Sequence, residues 1–269
     1  MSHSWAGRGA AGAAAPGRRP PAHRPRGLLL QALLALALQS ACWPSARAAL
    51  VLGATRLIYR GGAGGARIDV LNVGRQPALM QAWIDAGNPE ARPQDIQVPF
   101  VVTPPMVRID PGRRQSLGVV FTGPALPTDR ESLYWLNVLD IPPRPDLRPG
   151  ADYIQFAVRT RIKLIYRPAG LHGGPEQAMR ELRWREQCRE AHCIVQARNP
   201  TPYVIPIVRL RCAGLGRPRA AVLLQGTVRP FAARSWVLPQ AARVARVRYD
   251  VINDFGAFVH ADAPVTFRP

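Results

Sequence analysis

Residues 151–168 of the chain read ADYIQFAVRTRIKLIYRP. Because side chains along a β-strand point alternately to its two faces, Ile154, Phe156 and Val158 share one face. The apolar parity continues through the rest of the segment. The basic side chains have the opposite parity, and among them is Lys163, the only lysine of the chain. The segment therefore predicts a β-strand with one apolar face and one basic face.

Similar short apolar runs, separated by turn residues, fill the chain on both sides of this strand. The 269 residues include 28 prolines and 23 glycines, which favours many turns and short strands over long helices. Residues 167–177, which read RPAGLHGGPEQ, interrupt the runs and indicate a linker. About seven strand-like segments lie on each side of it, which predicts an all-β protein of two domains, and the segments before the linker fit an immunoglobulin-like β-sandwich. The predicted boundaries are 49–168 for the N-terminal domain, 169–177 for the linker and 178–269 for the C-terminal domain.

The first 48 residues differ from the rest and predict a secretory signal peptide. They contain six arginines and no acidic residue, and the apolar run GLLLQALLALALQSACW occupies residues 27–43. Residues 46–48 form a small-x-small motif, so we expect cleavage after Ala48. The apolar run is too short to span a bilayer comfortably, which disfavours a membrane anchor. A lipoprotein attached through Cys42 is disfavoured because Gln39 lies where an aliphatic residue is expected.

The charge of the chain is strongly positive. The 36 basic and 17 acidic residues give a formal net charge of +19, and loss of a leader with six arginines lowers it to about +13. An exported protein rarely meets nucleic acid, and the sequence contains no RNP-type motif, zinc spacing or helix-turn-helix pattern. We therefore expect no nucleic-acid partner. The charge favours attraction to acidic proteins or to an anionic membrane surface.

Three cysteines remain after the predicted cleavage, namely Cys188, Cys193 and Cys212. An oxidising compartment permits one disulfide and leaves one thiol over. Cys188 and Cys193 flank the residues REAH and can close a tight hairpin. Cys188 and Cys212 lie on either side of the NPTPY turn and can face each other across a longer one. We favour the first pairing and keep the second as an alternative.

The sequence offers no catalytic or cofactor-binding constellation. The histidines beyond the leader have no HExxH or other metal-ligand spacing, and no GxSxG elbow supplies a serine nucleophile. The glycines of RGGAGGARI at residues 60–68 miss the GxGxxG spacing and lead into a strand pattern, so we interpret them as a hairpin turn. We therefore predict a protein that is not an enzyme and that uses no cofactor and no metal.

Several short motifs, in order along both halves, resemble those of the periplasmic pilus-assembly chaperones, the PapD-like family. In the first half these are Thr55-Arg56, QAWI at residues 81–84, VTPPMVRIDPG at 102–112, DRESLYWLNVLDIPP at 129–143 and IKLIYRP at 162–168. In the second half they are NPTPY at residues 199–203 and INDFGA at residues 252–257. Each motif is weak alone, but their order forms a specific signature from about Ala49 to the C-terminus.

The resemblance implies two immunoglobulin-like domains set at an angle, in an L or boomerang shape, with a cleft between them. By motif position, Arg56 and Lys163 would lie in the cleft and hold the C-terminal carboxylate of a pilus subunit. Ile154, Phe156 and Val158 would fill the groove of a subunit whose own fold lacks a strand, which is a known case of strand addition. A one-residue slip would turn every donated side chain to the wrong face, so the carboxylate contact would also set the register.

Three further residues match family positions and would form an ionic link between the domains: Glu131, Arg167 and Asp254. The resemblance also implies that the chain delivers periplasmic subunits to an outer-membrane usher without ATP. The sequence leaves open whether the free chain self-associates through its donor strand. The connection IPPRPDLRPGAD at residues 141–152 resembles the branch that serves rod-like pili. The alternative is an immunoglobulin-like exported adhesin or structural surface module, which would need no cations at positions 56 and 163.

Overall fold

The computed structural model describes residues 49–144, 152–189, 192–214, 224–238 and 244–268. The predicted signal peptide, residues 1–48, lies outside the described residues. In the described part, β-strands make up nearly all of the regular structure, joined by one 3₁₀ turn at Pro93–Asp95 and one four-residue helix, α1, at Pro175–Ala178. No helix in these ranges is long and apolar enough to cross a membrane. The predicted all-β class is confirmed.

The N-terminal half forms nine strands: β1 (Leu50–Leu52), β2 (Arg56–Arg60), β3 (Ala66–Asn72), β4 (Ala78–Asp85), β5 (Phe100–Thr103), β6 (Met106–Ile109), β7 (Arg114–Phe121), β8 (Ser132–Ile141) and β9 (Val158–Arg167). One sheet has four strands in the order β1-β3-β7-β5, and the other has five in the order β2-β9-β8-β4-β6. Strands β2 and β9 run parallel, whereas β8 and β9 run antiparallel. Strand β9 therefore lies inside the larger sheet, between β2 and β8.

Two of the predicted segments each divide into a pair of strands that belong to different sheets. Residues 49–59 become β1 in the four-stranded sheet and β2 in the five-stranded sheet. Residues 99–109 become β5 and β6, because Pro104 and Pro105 interrupt them and proline has no N–H to donate to a sheet. These two changes of sheet explain why this half has nine strands where seven segments were predicted.

The glycine-rich residues 61–65 correct another expectation. Strand β2 ends at Arg60 in the five-stranded sheet, and β3 begins at Ala66 in the four-stranded sheet. The stretch therefore connects two sheets, and the predicted hairpin is wrong. Gly62 has a φ of 82°, a left-handed conformation that favours glycine, so the stretch still makes a turn.

The core of this half lies between its two sheets. Val70 and Leu117 from the smaller sheet and Met80, Leu136 and Leu164 from the larger one are fully buried. Because Ile162 and Leu164 of β9 point into this core, Lys163 between them points to the opposite face. Burial of the apolar face thus fixes the direction of the lysine side chain.

The C-terminal half forms seven strands after helix α1: β10 (Arg183–Arg189), β11 (His192–Arg198), β12 (Ile205–Gly214), β13 (Leu224–Val228), β14 (Ala233–Leu238), β15 (Val244–Ile252) and β16 (Phe258–Arg268). They pair in the order β13-β12-β15-β16-β10-β11-β14, and β10 and β16 are parallel. This half has its own core, in which Trp184 packs against Trp236 and Tyr249. A smaller apolar cluster, made of Leu133 and Ile165 from one half and Val204 from the other, packs where the halves meet.

Candidate functional site

Arg56 and Lys163 lie side by side on neighbouring strands. They are direct partners in the parallel register of β2 and β9. Arg56 is buried, and its Nη1 donates a hydrogen bond of 2.6 Å to the backbone oxygen of Ile252 in the C-terminal half. Its Nε is buried and has no hydrogen-bond partner among the described residues. We call Arg56 and Lys163 the cationic pair.

The electrostatic surroundings of Lys163 oppose its positive charge. Its pKa is lowered by burial first and then by three nearby guanidinium groups, those of Arg56, Arg161 and Arg234. Within the described ranges, no carboxylate lies within ion-pair distance of Lys163. Burial also lowers the pKa of Arg56, and the charge of Asp254 opposes that change. An anion bound at this point would relieve both effects, and a carboxylate offers two oxygens for two donors.

The positive charge of Arg161, two residues before Lys163, is already compensated by a carboxylate. Its guanidinium donates bonds of 2.6 and 3.0 Å to the buried carboxylate of Asp85, which also accepts a bond of 2.8 Å from Asn137. The same guanidinium lies 4.5 Å above the ring centre of Trp135. Burial opposes ionisation of Asp85, but the bonds from Arg161, Asn137 and the backbone of Gly87 lower its pKa overall. Arg161 is therefore not a free cation, and Lys163 keeps the role of an unpaired one.

Glu131, Arg167 and Asp254 form a chain of ion pairs that joins the two halves. Arg167 donates from Nε to Glu131 and from Nη1 and Nη2 to Asp254, with 2.9 Å between Nη2 and Oδ1. The other oxygen of Glu131 accepts a bond of 2.6 Å from the backbone nitrogen of Val204. Burial would lower the pKa of Arg167, but its bonds and charge contacts with Asp254 and Glu131 raise it. We call these three residues the interdomain triad.

The turn that carries Asp254 is held by its own hydrogen bonds. The side-chain oxygen of Asn253 accepts bonds from the backbone nitrogens of Phe255 and Ala257, at 3.1 and 2.9 Å. Gly256 completes the turn with a φ of 84°. Ile252, the last residue of β15, accepts from Arg56, and Asp254 in the turn accepts from Arg167. The end of β15 and the turn after it therefore contact both the cationic pair and the interdomain triad.

The predicted donor residues are exposed apolar side chains, but two of them precede the strand. Ile154 is 82% exposed, Phe156 66% and Val158 39%. Strand β9 begins only at Val158, because its partner β8 pairs down to Asp140, opposite Val158, and ends at Ile141. The prediction of one continuous strand that includes Ile154 and Phe156 is therefore wrong for this chain alone. We call residues 152–158 the donor segment.

Cys188 and Cys193 form a disulfide across the hairpin of β10 and β11. Cys212 keeps a free thiol, whose pKa rises to about 11 because the side chain is buried and lies near Glu186. The carboxylate of Glu186 lies close to both disulfide sulfurs. Those sulfurs are bonded to each other and carry no thiolate, so this cluster offers no metal-ligating cysteine in the form seen here.

Several residues around the site were not identified from the sequence. Asp85 directly follows the QAWI motif and Trp135 lies inside DRESLYWLN, yet their contacts with Arg161 cross about 76 and 26 residues of chain. Arg234, whose charge acts on Lys163, comes from the C-terminal half. Of these residues, only Asp85 had a signal in the sequence: it directly follows a matched motif, and an acidic residue that is buried needs a partner.

Comparison with known proteins identifies the family. Residues 49–172 match the N-terminal domain of PapD, described as a pili and flagellar-assembly chaperone. Residues 177–263 match the C-terminal domain of the pili assembly chaperone PapD. The chaperone protein FimB/FhaD of Bordetella pertussis is 44% identical over 66% of this chain and 74% of its own length.

Solved structures agree with the sequence comparison. The probable fimbrial chaperone YadV of Escherichia coli is 37% identical over 81% of this chain and 91% of its own length. Its crystal structure gives a TM-score of 0.68, with 33% identity over 80% of this chain and 99% of that one. The chaperone SafB of Salmonella enterica, solved in complex with the SafA pilin, gives a TM-score of 0.65, with 28% identity over 82% of this chain and 98% of the matched one. With both domains matched in order, this chain belongs to the PapD family of pilus-assembly chaperones.

Proposed function

We propose that this chain is a periplasmic chaperone that binds pilus subunits by lending them its donor segment and then delivers them to an outer-membrane usher. One observation carries the proposal. The strand that places Lys163 beside Arg56, without an acid in contact in the described part of the chain, also begins at a run of exposed apolar side chains. An anion site and an apolar ribbon on one strand fit a partner that offers a chain end and an open groove.

The cationic pair would hold the C-terminal carboxylate of the subunit. Arg56 presents a fixed guanidinium because its Nη1 is bonded to Ile252, and Lys163 adds a compact ammonium beside it. The carboxylate would accept hydrogen bonds from both side chains, and its negative charge would offset the two positive charges that burial disfavours. Charge-assisted bonds of this kind are stronger than neutral ones and define a position as well as an energy.

The donor segment would fill the groove of the subunit. An immunoglobulin-like fold that lacks a strand exposes apolar side chains and unpaired backbone groups, and both promote aggregation. A donated strand pairs the backbone, while its alternating side chains enter the groove. Five residues separate Lys163 from Val158, or roughly 16–17 Å of extended chain. The bound carboxylate would therefore fix which side chains face the groove.

The interdomain triad would hold the two halves in the arrangement that the cleft requires. Its members come from β9, from the residue just before β8 and from the turn before β16, so one arginine connects three separate parts of the chain. Buried ion pairs are weak evidence for net stability, and their better-supported role is to specify one arrangement. We assign the triad this orienting role.

The chaperone would act outside the cytoplasm and without catalysis. The basic leader, the apolar run and the small-x-small motif support export and cleavage after Ala48. The relatives named above are chaperones of fimbrial systems, and the SafB structure holds a pilin. Binding and release of a subunit need no covalent chemistry. Folding of the released subunit against its next partner can drive delivery to the usher.

Co-purification tests the proposal. The full-length chain would be produced with a subunit encoded next to it, and the complex would be isolated from the periplasm. We expect a one-to-one complex that is lost in Lys163→Ala and Arg56→Ala. Arg108→Ala is the matched control, since it removes an exposed arginine from the same domain. A subunit shortened by its last residues should also fail to bind. Equal recovery of the complex with all three variants would contradict the proposal.

A further inference from the structure

The two sheets of the N-terminal domain are joined at one end by a single carboxylate. Oδ2 of Asp140, near the end of β8, accepts hydrogen bonds from the backbone nitrogens of Ala49 and Leu50, at 2.7 and 3.1 Å. Leu50 begins β1 of the four-stranded sheet, and Asp140 belongs to the five-stranded sheet. Ala49 is held from its other side as well, because its backbone oxygen accepts a bond of 2.7 Å from Val73.

One of the two carboxylate oxygens of Asp140 lacks a hydrogen-bond partner in the described part of the chain. Asp140 is only 6% exposed, and its Oδ1 is buried without any hydrogen bond from the described residues. No basic side chain in those ranges lies within ion-pair distance of Asp140, although Arg75 lines the same pocket. A buried carboxylate with two backbone bonds and no countercharge is costly, and such an acid is normally paired.

Among the residues that the structure describes, Asp140 lacks a positive charge beside it and N–H donors for Oδ1, and proteolytic processing would create both. We infer that Asp140 is a binding site for the α-ammonium group that cleavage after Ala48 leaves on Ala49. An uncleaved chain has one N–H at that nitrogen, and it is already donated to Oδ2. A free α-ammonium has a positive charge and three N–H groups, so it can keep the bond to Oδ2 and donate another to Oδ1. Hydrolysis of the peptide bond between Ala48 and Ala49 supplies this group and needs only water.

The surroundings of Ala49 fit a chain terminus. The residue lies at the wall of a pocket of about 330 Å³ that Asp140, Phe156 and Val158 also line. Gly74 faces it so closely that a Cβ at position 74 would lie 2.7 Å from the Cβ of Ala49. The backbone therefore approaches Ala49 without a side chain between them. A small residue with its nitrogen turned towards a buried acid suits this space.

The position also connects processing with the donor segment. Asp140 is the register partner of Val158, the first residue of β9. An ion pair between the new terminus and Asp140 would fasten β1 to the end of β8, next to the point where the donor segment leaves the sheet. The inference rests on the proposed export, and it adds that the processed chain is the form in which this end of the domain is fully bonded.

The test moves the terminus by two residues. Gly-Ser inserted between Ala48 and Ala49 leaves the small-x-small motif intact, so the exported chain would start with two extra residues. Mass spectrometry first identifies the terminus of each exported protein. We expect the wild-type chain to begin at Ala49 and the insertion to lower its melting temperature by about 5 °C. In the Asp140→Asn background the insertion should not change the melting temperature, since the ion pair between the α-ammonium and Asp140 is already lost. Asp110→Asn, an exposed acid of the same domain, is the matched control in which the insertion keeps its full effect.

A second measurement does not depend on the Asp140→Asn variant folding. The processed chain has only two amines, the α-amine and Lys163, so an acetylating reagent has two targets that peptide mass spectrometry separates. We expect the α-amine of the wild-type chain to react about tenfold more slowly than that of the Gly-Ser variant, because pairing keeps it protonated. Equal rates, equal melting temperatures or a terminus other than Ala49 would overturn the inference. Subunit co-purification from the same samples reports on the proposed function separately, so the two can fail independently.

Discussion

Lys163 lies beside Arg56, where the difference in shape between an ammonium and a guanidinium group would matter for binding a carboxylate. The chain uses arginine at every other basic position, so the lysine stands beside Arg56 as the one compact cation. In the proposed site, an ammonium on a flexible stem would approach a carboxylate beside Arg56, whereas two planar forks would crowd the same space. Its lowered pKa shows that the free site is unfavourable for positive charge and that an anion would improve it.

We expect Lys163→Ala to weaken subunit binding by about 10–100-fold, since a hydrogen bond to a charged group contributes about 1.5–3 kcal/mol. Lys163→Arg should also bind less tightly than the wild type, because the second fork crowds Arg56. Affinity measured by calorimetry with a purified subunit checks both variants. Wild-type affinity in both would show that the lysine is not required at this position.

Binding should also depend on pH through Lys163. Its pKa is lowered in the free chain, so the ammonium loses its proton at a lower pH than an ordinary lysine does. A bound carboxylate favours the protonated form, so affinity is highest below the lowered pKa and falls as the pH rises through it. Titrating affinity between about pH 7 and 10 measures this. Lys163→Ala is the control, and an identical slope in that variant would assign the dependence to other groups.

At the scale of elements, strand β9 combines two tasks that its neighbours separate. From Ile162 onwards it is a central strand whose apolar side chains complete the core. Before Val158 it has no partner strand in the described structure, because β8 ends at Ile141 and cannot pair further. The donor segment is thus a continuation of a stable strand beyond the end of its sheet. In the proposed complex, we expect the subunit to extend the pairing from this point.

Phe156→Ser should therefore reduce subunit binding without affecting the free chain. A fully buried aromatic or aliphatic side chain contributes about 1.5–3 kcal/mol, which corresponds to roughly 10–100-fold in affinity. Phe156 is 66% exposed in the free chain, so the melting temperature should change little. Val237→Ser removes a comparably exposed apolar side chain, 62% exposed, from the C-terminal domain and should leave binding intact. If both variants bind equally well, the donor segment does not enter the groove.

The sequence predicted the elements well and their sheet membership poorly. Alternation and turn residues located most strands, but they did not show that β1 and β2 lie in different sheets or that two prolines divide β5 from β6. Sheet membership depends on long-range pairing, which no local pattern encodes. In the same way, alternation extended the last strand through Ile154 and Phe156, since local parity cannot tell where the partner strand ends.

The candidate site was partly visible in the sequence. The motifs named Arg56, Lys163 and the triad, and the structure brings each of these groups together. The partners that complete the site were not visible, because Asp85, Trp135 and the backbone of Ile252 reach it from distant parts of the chain. The unpaired oxygen of Asp140 could be recognised only from packing.

At the scale of the whole molecule, the halves are joined by the interdomain triad, by the bond from Arg56 to Ile252 and by the small cluster around Val204. The carboxylates of Glu131 and Asp254 approach Arg167 from different elements, so the arginine is satisfied only when both halves are in place. This arrangement makes the geometry of the cationic pair depend on the position of the C-terminal half. The net charge, +19 for the whole chain and about +13 without the six arginines of the leader, favours fast encounter with acidic partners.

Asp254→Asn tests the orienting role of the triad. Removing one partner of a buried pair costs about 3–5 kcal/mol, and we expect about 2 kcal/mol here because the side chain of Asp254 is 21% exposed. Thermal unfolding should shift down by roughly 4–8 °C, and subunit affinity should fall although Asp254 need not touch the subunit. Asp129→Asn, which removes an exposed ion pair with Arg130, should change neither quantity. Unchanged melting and binding in Asp254→Asn would show that the triad does not hold the halves.

Amide hydrogen exchange of the donor segment tests the central claim most directly. The claim is that residues 152–158 form a new strand with the subunit while the cationic pair holds its carboxylate. In the free chain this segment has no regular secondary structure before Val158, so its amides should exchange within seconds. In the purified complex we predict that the amides facing the subunit become protected together with those of β9. A stable complex in which residues 152–158 exchange as fast as in the free chain would contradict the account.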